Sequence, residues 1–401
     1  MKCRLCNTEL THLFVDLGSS PAANSFLTKS QLDQPELWYP LKVYVCDQCW
    51  LVQMDEYKPA TEIFNEDYPY YSSHSENNVT RAKAYVDMVV ERFNPKRVLE
   101  IGSNDGYLLQ HFPKDVSAIG IDPAAGAVSN ARKRKVPTYL GMFSHAWVLA
   151  EYHIKDYDLI CGSNVLAHQP NLNDFLEGLR IALKPDGVIT MEFPTVMNLL
   201  NGTCQFDTIY HEHFSYLSFT VVCDMFKRHG MEVFDVLHTP EQGGSIMVFA
   251  QHQGLSRMMP SVRDLLEGET GMDNIEKYQG FQPRVENTKH ELLEFLVDRT
   301  WMRGEMVAAY GASCKCNTLL NYCGIRPDLI PFVVDRSPLK QGKYLPGSHI
   351  PIVDEEYLKR EKPDYVLITA WNLADEIMEQ LEYVREWGGK FVLTTPTLEV
   401  L

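Results

Sequence analysis

From Lys96 onward, short apolar runs alternate with polar stretches and turn residues. RVLEIG (97–102) and SAIGID (117–122) predict buried parallel strands, each running into a turn. YDLICG (157–162) and GVITMEF (187–193) repeat the theme, with a helical segment at 171–184 between them. The KPDG sequence at 184–187 predicts a break before the last of these strands. MEVFDVLHT (231–239) and SIMVFAQH (245–252) read as an antiparallel pair completing the same sheet. Residues 257–305 are helical in character. A second α/β pattern then runs through MVAAYGAS (306–313), LIPFVVDRS (329–337), HIPIVD (349–354), PDYVLITAW (363–371) and GKFVLTTP (389–396).

The beginning of the chain has a different texture. Residues 1–60 carry a cysteine pair at each end, with Pro, Gly, Ser and Asn between them and a strand-like run at Leu41–Val45. Residues 61–85 read as a helical and loop linker containing the aromatic cluster DYPYYSS (67–73). The expected organisation is an N-terminal module (1–60), the linker (61–85), a central α/β domain (86–255), and a helical connector leading into a second α/β domain (256–401). The recurrence of strand, Gly turn and helix in both halves is architecture, and by itself says nothing of activity.

A chain of 401 residues fits two domains of roughly 100–200 residues plus a small module. Its net charge, 37 − 53 = −16, disfavours a nucleic-acid backbone binder, which needs a positive field. No apolar run approaches the roughly 20 residues that cross a bilayer. The opening MKCRLCNTEL lacks a signal-peptide core. A cytoplasmic setting is the expectation, with no membrane and no obligate protein partner, and the cysteines are read as thiols.

Cys3 and Cys6 form CRLC, and Cys46 and Cys49 form CDQC. Two such knuckles supply four thiolates, the set that holds tetrahedral structural zinc. With all four positions filled by Cys, no site stays open for water, so the metal is expected to stabilise a module with little core of its own. Chance placement or a redox pair is the competing reading.

Glu100-Ile101-Gly102-Ser103-Asn104-Asp105-Gly106 follows a predicted strand and precedes the predicted helical run YLLQHF. Gly102 allows the backbone to turn towards a ligand, and Gly106 serves a tight entry into the predicted helix. Neither GxGxxG nor GK[ST] is satisfied. Asp122 ends the next strand, where a carboxylate accepts ribose hydroxyls. Acidic residues at both places favour a cationic sulfonium ligand, S-adenosylmethionine, over the pyrophosphate of a dinucleotide.

Tyr210-His211-Glu212-His213 is dense in titratable groups. The spacing is not HExxH, which argues against a metal site. Methylation of carbon needs a base to remove a proton beside a carbonyl. His213 suits that task because an unperturbed imidazole titrates at about 6.5. Glu212 is then expected to orient His213, and Tyr210 to donate to the oxygen that gains charge. Gln242, Gly243, Gly244 and Ser245 suit contact with sugar or cofactor, with a plain hairpin turn as the equal rival. In the second α/β pattern, Lys315 and Asn317 begin a helix after Gly311 and are candidates for a diphosphate. Arg336, Lys343 and His349 are further candidate contacts.

VLEIGSNDG followed by GIDP resembles the class I methyltransferases. The cysteine quartet, DLGSSPAANSF (16–26), DYPYYSS, YHEHFSYLS (210–218), GASCKCNTLLNY (311–322) and KYLPGSHIPI (343–352) together resemble one family within it: the sugar C-methyltransferases acting on nucleoside-diphosphate deoxysugars. The resemblance spans essentially the whole chain. It implies a zinc-binding module, a central Rossmann-like methyltransferase domain and a C-terminal Rossmann-like α/β domain. It implies methyl transfer from S-adenosylmethionine to C3 of an NDP-linked 4-keto-deoxyhexose through an enolate. It maps Glu100, Gly102, Asn104, Gly106 and Asp122 to the cofactor loop, with Gly141, Phe143, Asn164 and His168 around the same pocket. It makes Tyr210, Glu212 and His213 active-site groups, joined by a linker tyrosine, one of Tyr68, Tyr70 and Tyr71 and here taken as Tyr70. Asn77 and Asn78 fall in a stretch that lines the family's acceptor pocket. The chain departs from the family at Cys314 and Cys316, where smaller residues are usual. A second metal shared with Cys323, an oxygen or nitrogen methyltransferase, and a non-catalytic zinc scaffold are the alternatives.

Overall fold

Strands buried on both faces need near-continuous apolar sequence, and the central runs meet that demand. In a computed structural model of the chain, which describes all residues but 66, 67, 202, 240–242 and 256, they pair into a seven-stranded sheet. Its order is Met231–Thr239, Ser245–His252, Leu183–Pro194, Tyr157–Ser163, Arg97–Ile101, Ser117–Asp122 and Thr138–Leu140. The last five are parallel to one another, and Ser245–His252 joins antiparallel to Leu183–Pro194. Val98, Leu99, Leu159, Ile160, Ile189 and Met191 are fully buried. The chain leaves Thr138–Leu140 and returns on the other side of Arg97–Ile101. That reversal creates a crevice at the carboxyl ends of Arg97–Ile101 and Tyr157–Ser163, the place where open α/β sheets bind ligands.

Two details differ from the expectation: YLLQHF forms only turns and the short 3-10 turn Leu109–His111 where the sequence predicts a helix, and KPDG is not a break. KPDG does not end before the strand; the strand begins at Leu183 and includes it. The pairing with Tyr157–Ser163 shifts register between Tyr157 and Leu159, so the extra residues are absorbed as an irregularity within the ladder. The linker enters a long helix, Glu76–Phe93, capped by Ser75, whose side chain accepts from Asn78 N. Ala82, Val86 and Val89 bury one stripe of it in the core of the sheet.

This sheet belongs to a unit comprising residues 1–11, 45–196 and 213–275. Both cysteine pairs are in it. A second unit comprises 12–44, 197–212 and 276–401. Its six-stranded sheet runs Ile352–Val353, Val333–Val334, Val307–Tyr310, Tyr365–Ile368, Lys390–Leu393 and Glu399–Val400. Helix Cys314–Cys323 follows Val307–Tyr310, which again lies at a reversal of strand order. The strand His12–Ser20 is fastened to this unit by Phe14, stacked on Phe281 at 4.7 Å. No helix of the described residues is long and apolar enough to cross a membrane.

Candidate active site

The cysteine quartet closes as a metal site. Cys3 Sγ lies 3.4 Å from Cys49 Sγ and Cys6 Sγ 3.5 Å from Cys46 Sγ, with all four sulfurs within 4.8 Å of one another. Zinc–sulfur bonds of about 2.3 Å in a tetrahedron put sulfurs about 3.8 Å apart. The two knuckles are built alike. Asn7 N donates to Cys3 O at 2.9 Å and Trp50 N to Cys46 O at 3.0 Å. Asn7 and Trp50 take φ of 64° and 62°, an unusual conformation for a bulky residue such as Trp50, held here by the turn. Gln53, fully buried, donates from Nε2 to Cys3 Sγ at 3.1 Å and accepts from Arg4 N at 2.9 Å. Hydrogen bonding with Cys49 pushes the Cys3 thiol down to about 4, while burial pushes Cys46 up to about 11. Four crowded thiols ionise together only around a cation, so the donor set fits structural zinc. Among the described residues no other His, Cys, Asp or Glu cluster of metal-binding size occurs, and Cys316 and Cys323 are buried free thiols.

The zinc knuckles reach the predicted base through the backbone. Strand Val52–Met54 follows the second knuckle and pairs antiparallel with Ser215–Tyr216. Met54 N donates to Phe214 O at 3.0 Å, and Phe214 N donates to Ala167 O at 2.8 Å. His213 is thereby brought beside His168, their rings 4.7 Å apart and nearly perpendicular. His168 also meets Phe64 at 5.6 Å. Both imidazoles are half-buried.

The predicted cofactor loop lies in the crevice of the first sheet. Gly102 takes φ +68°, and a Cβ there would stand 2.9 Å from Val165 Cγ2. Glu100 is 1% exposed, and its Oε2 has no hydrogen-bond partner among the described residues. Burial, and then Asp122 and Asp105, hold the Glu100 carboxyl well above the usual range. Asp122 Oδ2 accepts from Asn104 N at 2.9 Å and Oδ1 from Ala124 N at 2.8 Å. Burial pushes Asp122 up to about 6 against those two donors. A wall of buried carboxyls with an unmatched oxygen fits a ligand carrying positive charge and hydroxyl donors. Gly141 leaves open space where a Cβ would stand, and Gly141 N is held by Asp122 O at 3.0 Å. Asn164 turns at φ +56°, its N donating to Glu192 O at 2.8 Å. Phe143 packs into aromatic core against Phe175 and Trp147. Gly106 turns at φ +78° over Val136.

Tyr70 is half-exposed at 50%, its hydroxyl accepting from Asn78 Nδ2 at 3.4 Å. Sequence reading missed Glu192, which is buried at the carboxyl end of its strand. Glu192 accepts from Arg81 at 3.1 Å, Ser163 Oγ at 2.7 Å and Thr239 Oγ1 at 2.9 Å. The signal was present: a carboxylate inside the apolar run GVITMEF demands partners.

The boundary between the units falls within YHEH, after Glu212. In the second unit the His211 ring packs edge-on against Tyr39 at 5.6 Å, and Nε2 lies 3.1 Å from Pro40 O. Glu212 is buried, and its Oε1 accepts from Asn24 Nδ2 at 2.7 Å. Tyr210 is half-buried beside them, and Thr318 Oγ1 fastens the segment by donating to Ile209 O at 2.9 Å.

At the reversal point of the second sheet, Gly311 turns at φ +100°, with Thr369 Oγ1 3.2 Å from where a Cβ would stand. Lys315 is buried there, donating to Asn372 Oδ1 at 2.7 Å and lying 5.0 Å over the Trp371 ring. Burial lowers its amine pKa, while Asp207 counters the shift. Asp207 is itself pushed up to about 6 by burial and accepts from Trp371 Nε1 at 2.7 Å. Asn317 is fully buried, its Oδ1 accepting from Asn321 at 3.1 Å. The other candidates stand elsewhere. Arg336 donates to Gln380 at 2.9 Å and pairs with Glu355 at 3.7 Å on the surface. His349 Nε2 sits 3.0 Å from Glu36 Oε2, and Lys343 contributes backbone pairing to Ile352. Lys340, unremarked in the sequence, pairs with Asp335 at 3.0 Å and donates to Ala312 O at 2.9 Å. Gln242 lies outside the described residues; Gly243 and Gly244 turn at φ 79° and 116° before strand Ser245–His252.

A mostly parallel sheet with acidic residues at its reversal point, in one unit with a four-cysteine cluster, fits a zinc-containing methyltransferase that uses S-adenosylmethionine. The sequence comparisons sharpen this. Residues 3–64 match a zinc binding domain family, 76–236 a methyltransferase domain family, and 240–396 the C-methyltransferase C-terminal domain family. The C-methyltransferase NovU of Streptomyces niveus is 35% identical over 409 residues, covering 100% of this chain and 96% of that protein. The chain belongs to the C-methyltransferase family. Among solved structures, the PH0226 protein of Pyrococcus horikoshii matches at 14% identity with TM-score 0.38, over 46% of this chain and 95% of its own. Magnesium protoporphyrin IX methyltransferase of Synechocystis matches at 14% identity with TM-score 0.35, over 43% of this chain and 82% of its own.

Proposed function

We propose that the chain methylates C3 of a nucleoside-diphosphate 4-keto-deoxysugar, with His213 as the base. The observation that carries the reading is the His213–His168 contact, 4.7 Å between rings, which brings the proposed base against a residue mapped to the cofactor pocket. S-adenosylmethionine supplies an electrophilic methyl group when bound. Glu100 and Asp122 are the proposed carboxyl groups facing its positive charge and accepting its ribose hydroxyls. His213 takes the proton from C3, and the C–H electron pair becomes the enolate whose charge rests on O4. Tyr210 is the proposed donor to that oxygen, and Tyr70 a second phenol near the acceptor. The methyl group would pass to C3 as its S–CH3 bond breaks, a C–CH3 bond forming and S-adenosylhomocysteine leaving as a neutral thioether. Glu212, held by Asn24, is the proposed orienting carboxylate. Lys315 and Asn317 are the proposed contacts to the diphosphate, supported by their burial at the reversal point of the second sheet.

The test is isotope exchange. A 4-keto nucleotide sugar incubated with the protein and S-adenosylhomocysteine in deuterated water should take up deuterium at C3. His213→Ala should bind S-adenosylhomocysteine within a few-fold of the parent and lose the exchange. Exchange that persists in His213→Ala assigns the base elsewhere.

A further inference from the structure

The polar groups of loop 102–106 make a connection that proton abstraction and cofactor binding leave unused. Asn104 adopts φ +49°, and its side-chain amide faces the linker rather than the crevice. Nδ2 donates to Tyr70 O at 3.1 Å, and Oδ1 accepts from Ser72 N at 2.8 Å. That two-point pairing copies the donor and acceptor of a peptide group, so it fixes both the position and the direction of the backbone that carries Tyr70. At the same time Asn104 N donates to Asp122 Oδ2 at 2.9 Å. A second fastening follows directly. Ser73 Oγ donates to the Asp105 carboxylate, while Arg134 pairs with Asp105 at 3.2 Å and donates to Ser73 Oγ at 2.6 Å.

Among the described residues the Tyr70 phenol is otherwise met by the side chains of Asn78 and Ser72. Its side chain is half-exposed, with a long contact to Asn78, so the placement of its phenol depends on the backbone clamp. The same residue that clamps it is anchored to the carboxylate expected to receive the ribose. We infer that Asn104 is a positioning residue that couples the cofactor loop to the tyrosine linker. The inference rests on the proposed reading that Asp122 receives the cofactor. Because coupling is reciprocal, cofactor binding orders the linker, and an ordered linker tightens cofactor binding by the same factor.

The positive φ supplies a clean variant. Asn104→Gly keeps the turn and the N–H to Asp122 and removes only the amide. Asn104→Asp keeps the acceptor for Ser72 N and loses the donor to Tyr70 O. The probe is S-adenosylhomocysteine, followed by calorimetry and by chymotrypsin cleavage at Tyr70 and Tyr71. In the parent protein the ligand should slow cleavage by about tenfold, within the ordinary range of site-to-site coupling. In Asn104→Gly the protection should fall below about twofold, with ligand affinity weakened by about the factor lost. Turnover should show kcat reduced and the acceptor KM little changed, with Asn104→Asp between the two proteins. A linker in Asn104→Gly that the ligand protects as fully as in the parent overturns the inference, as does a parent linker that bound ligand leaves unprotected. Calorimetry showing no binding to the parent protein sinks the methyl-donor reading and this coupling with it. A failure of the coupling alone leaves binding intact.

Discussion

Replacing Asp122 with asparagine should remove a specific pH dependence of stability. The carboxyl is 6% exposed. Burial raises it from 3.8 to about 6, helped by Asp105 and opposed by the N–H groups of Ala124 and Asn104. The folded chain thus holds this proton more tightly than the unfolded chain does. The stability it contributes is complete below about 3.8, declines as pH rises, and is gone above about 6. The shift, 6 − 3.8 = 2.2 units, corresponds to about 3 kcal/mol at 1.36 kcal/mol per unit. Roughly 2 kcal/mol of it falls between about pH 4.5 and pH 7.5. Urea unfolding of the parent and Asp122→Asn at both pH values isolates the term as a double difference, because other titrating groups are shared. The parent should lose about 2 kcal/mol more than the variant over that interval. Excess S-adenosylmethionine should shrink the parent's loss by matching the carboxylate with hydroxyl donors and a cation. Equal pH dependence in the two proteins would refute the picture of a buried carboxyl poised for a ligand.

Three further outcomes follow from the same structure. Elemental analysis should find one zinc per chain, and Cys49→Ser should lower both zinc content and the thermal midpoint. Because strand Val52–Met54 supports Phe214, slow zinc removal should also abolish C3 exchange before it abolishes cofactor binding; the reverse order would detach the metal from His213. Lys315→Met should raise the KM for the nucleotide sugar by about tenfold, equivalent to about 1.4 kcal/mol, and leave the Kd for S-adenosylhomocysteine unchanged, as calorimetry would read. Gly102→Ala should weaken that ligand measurably, since its Cβ would stand 2.9 Å from Val165 Cγ2 at φ +68°.

Much of this fold was legible along the chain. RVLEIG, SAIGID and YDLICG are strands because a parallel sheet covered on both faces has no room for polar alternation. The cysteine knuckles were legible because each CxxC sets its own local geometry. What stayed hidden depends on partners far away in sequence. Nothing near Lys315 announces that it is buried with Asp207 and Trp371, and a lysine at a helix start reads as an exposed cation. His211 and His213 look interchangeable in YHEH until Pro40 and Tyr39 claim the first and His168 meets the second. Asn104 read as a cofactor contact because its loop does. Its amide is committed to Tyr70 and Ser72, about thirty residues upstream. KPDG read as a turn because strand irregularities carry the same residues as loops.

The new methyl group is expected on carbon. Turnover of an NDP-4-keto-deoxysugar with S-adenosylmethionine labelled by 13C at the methyl group, followed by carbon–carbon correlation NMR of the product, tests it most directly. The methyl signal should couple to C3, and that carbon should carry one proton fewer than in the substrate. A labelled methyl at the shift of an ether or an amine, with C3 unchanged, would contradict it.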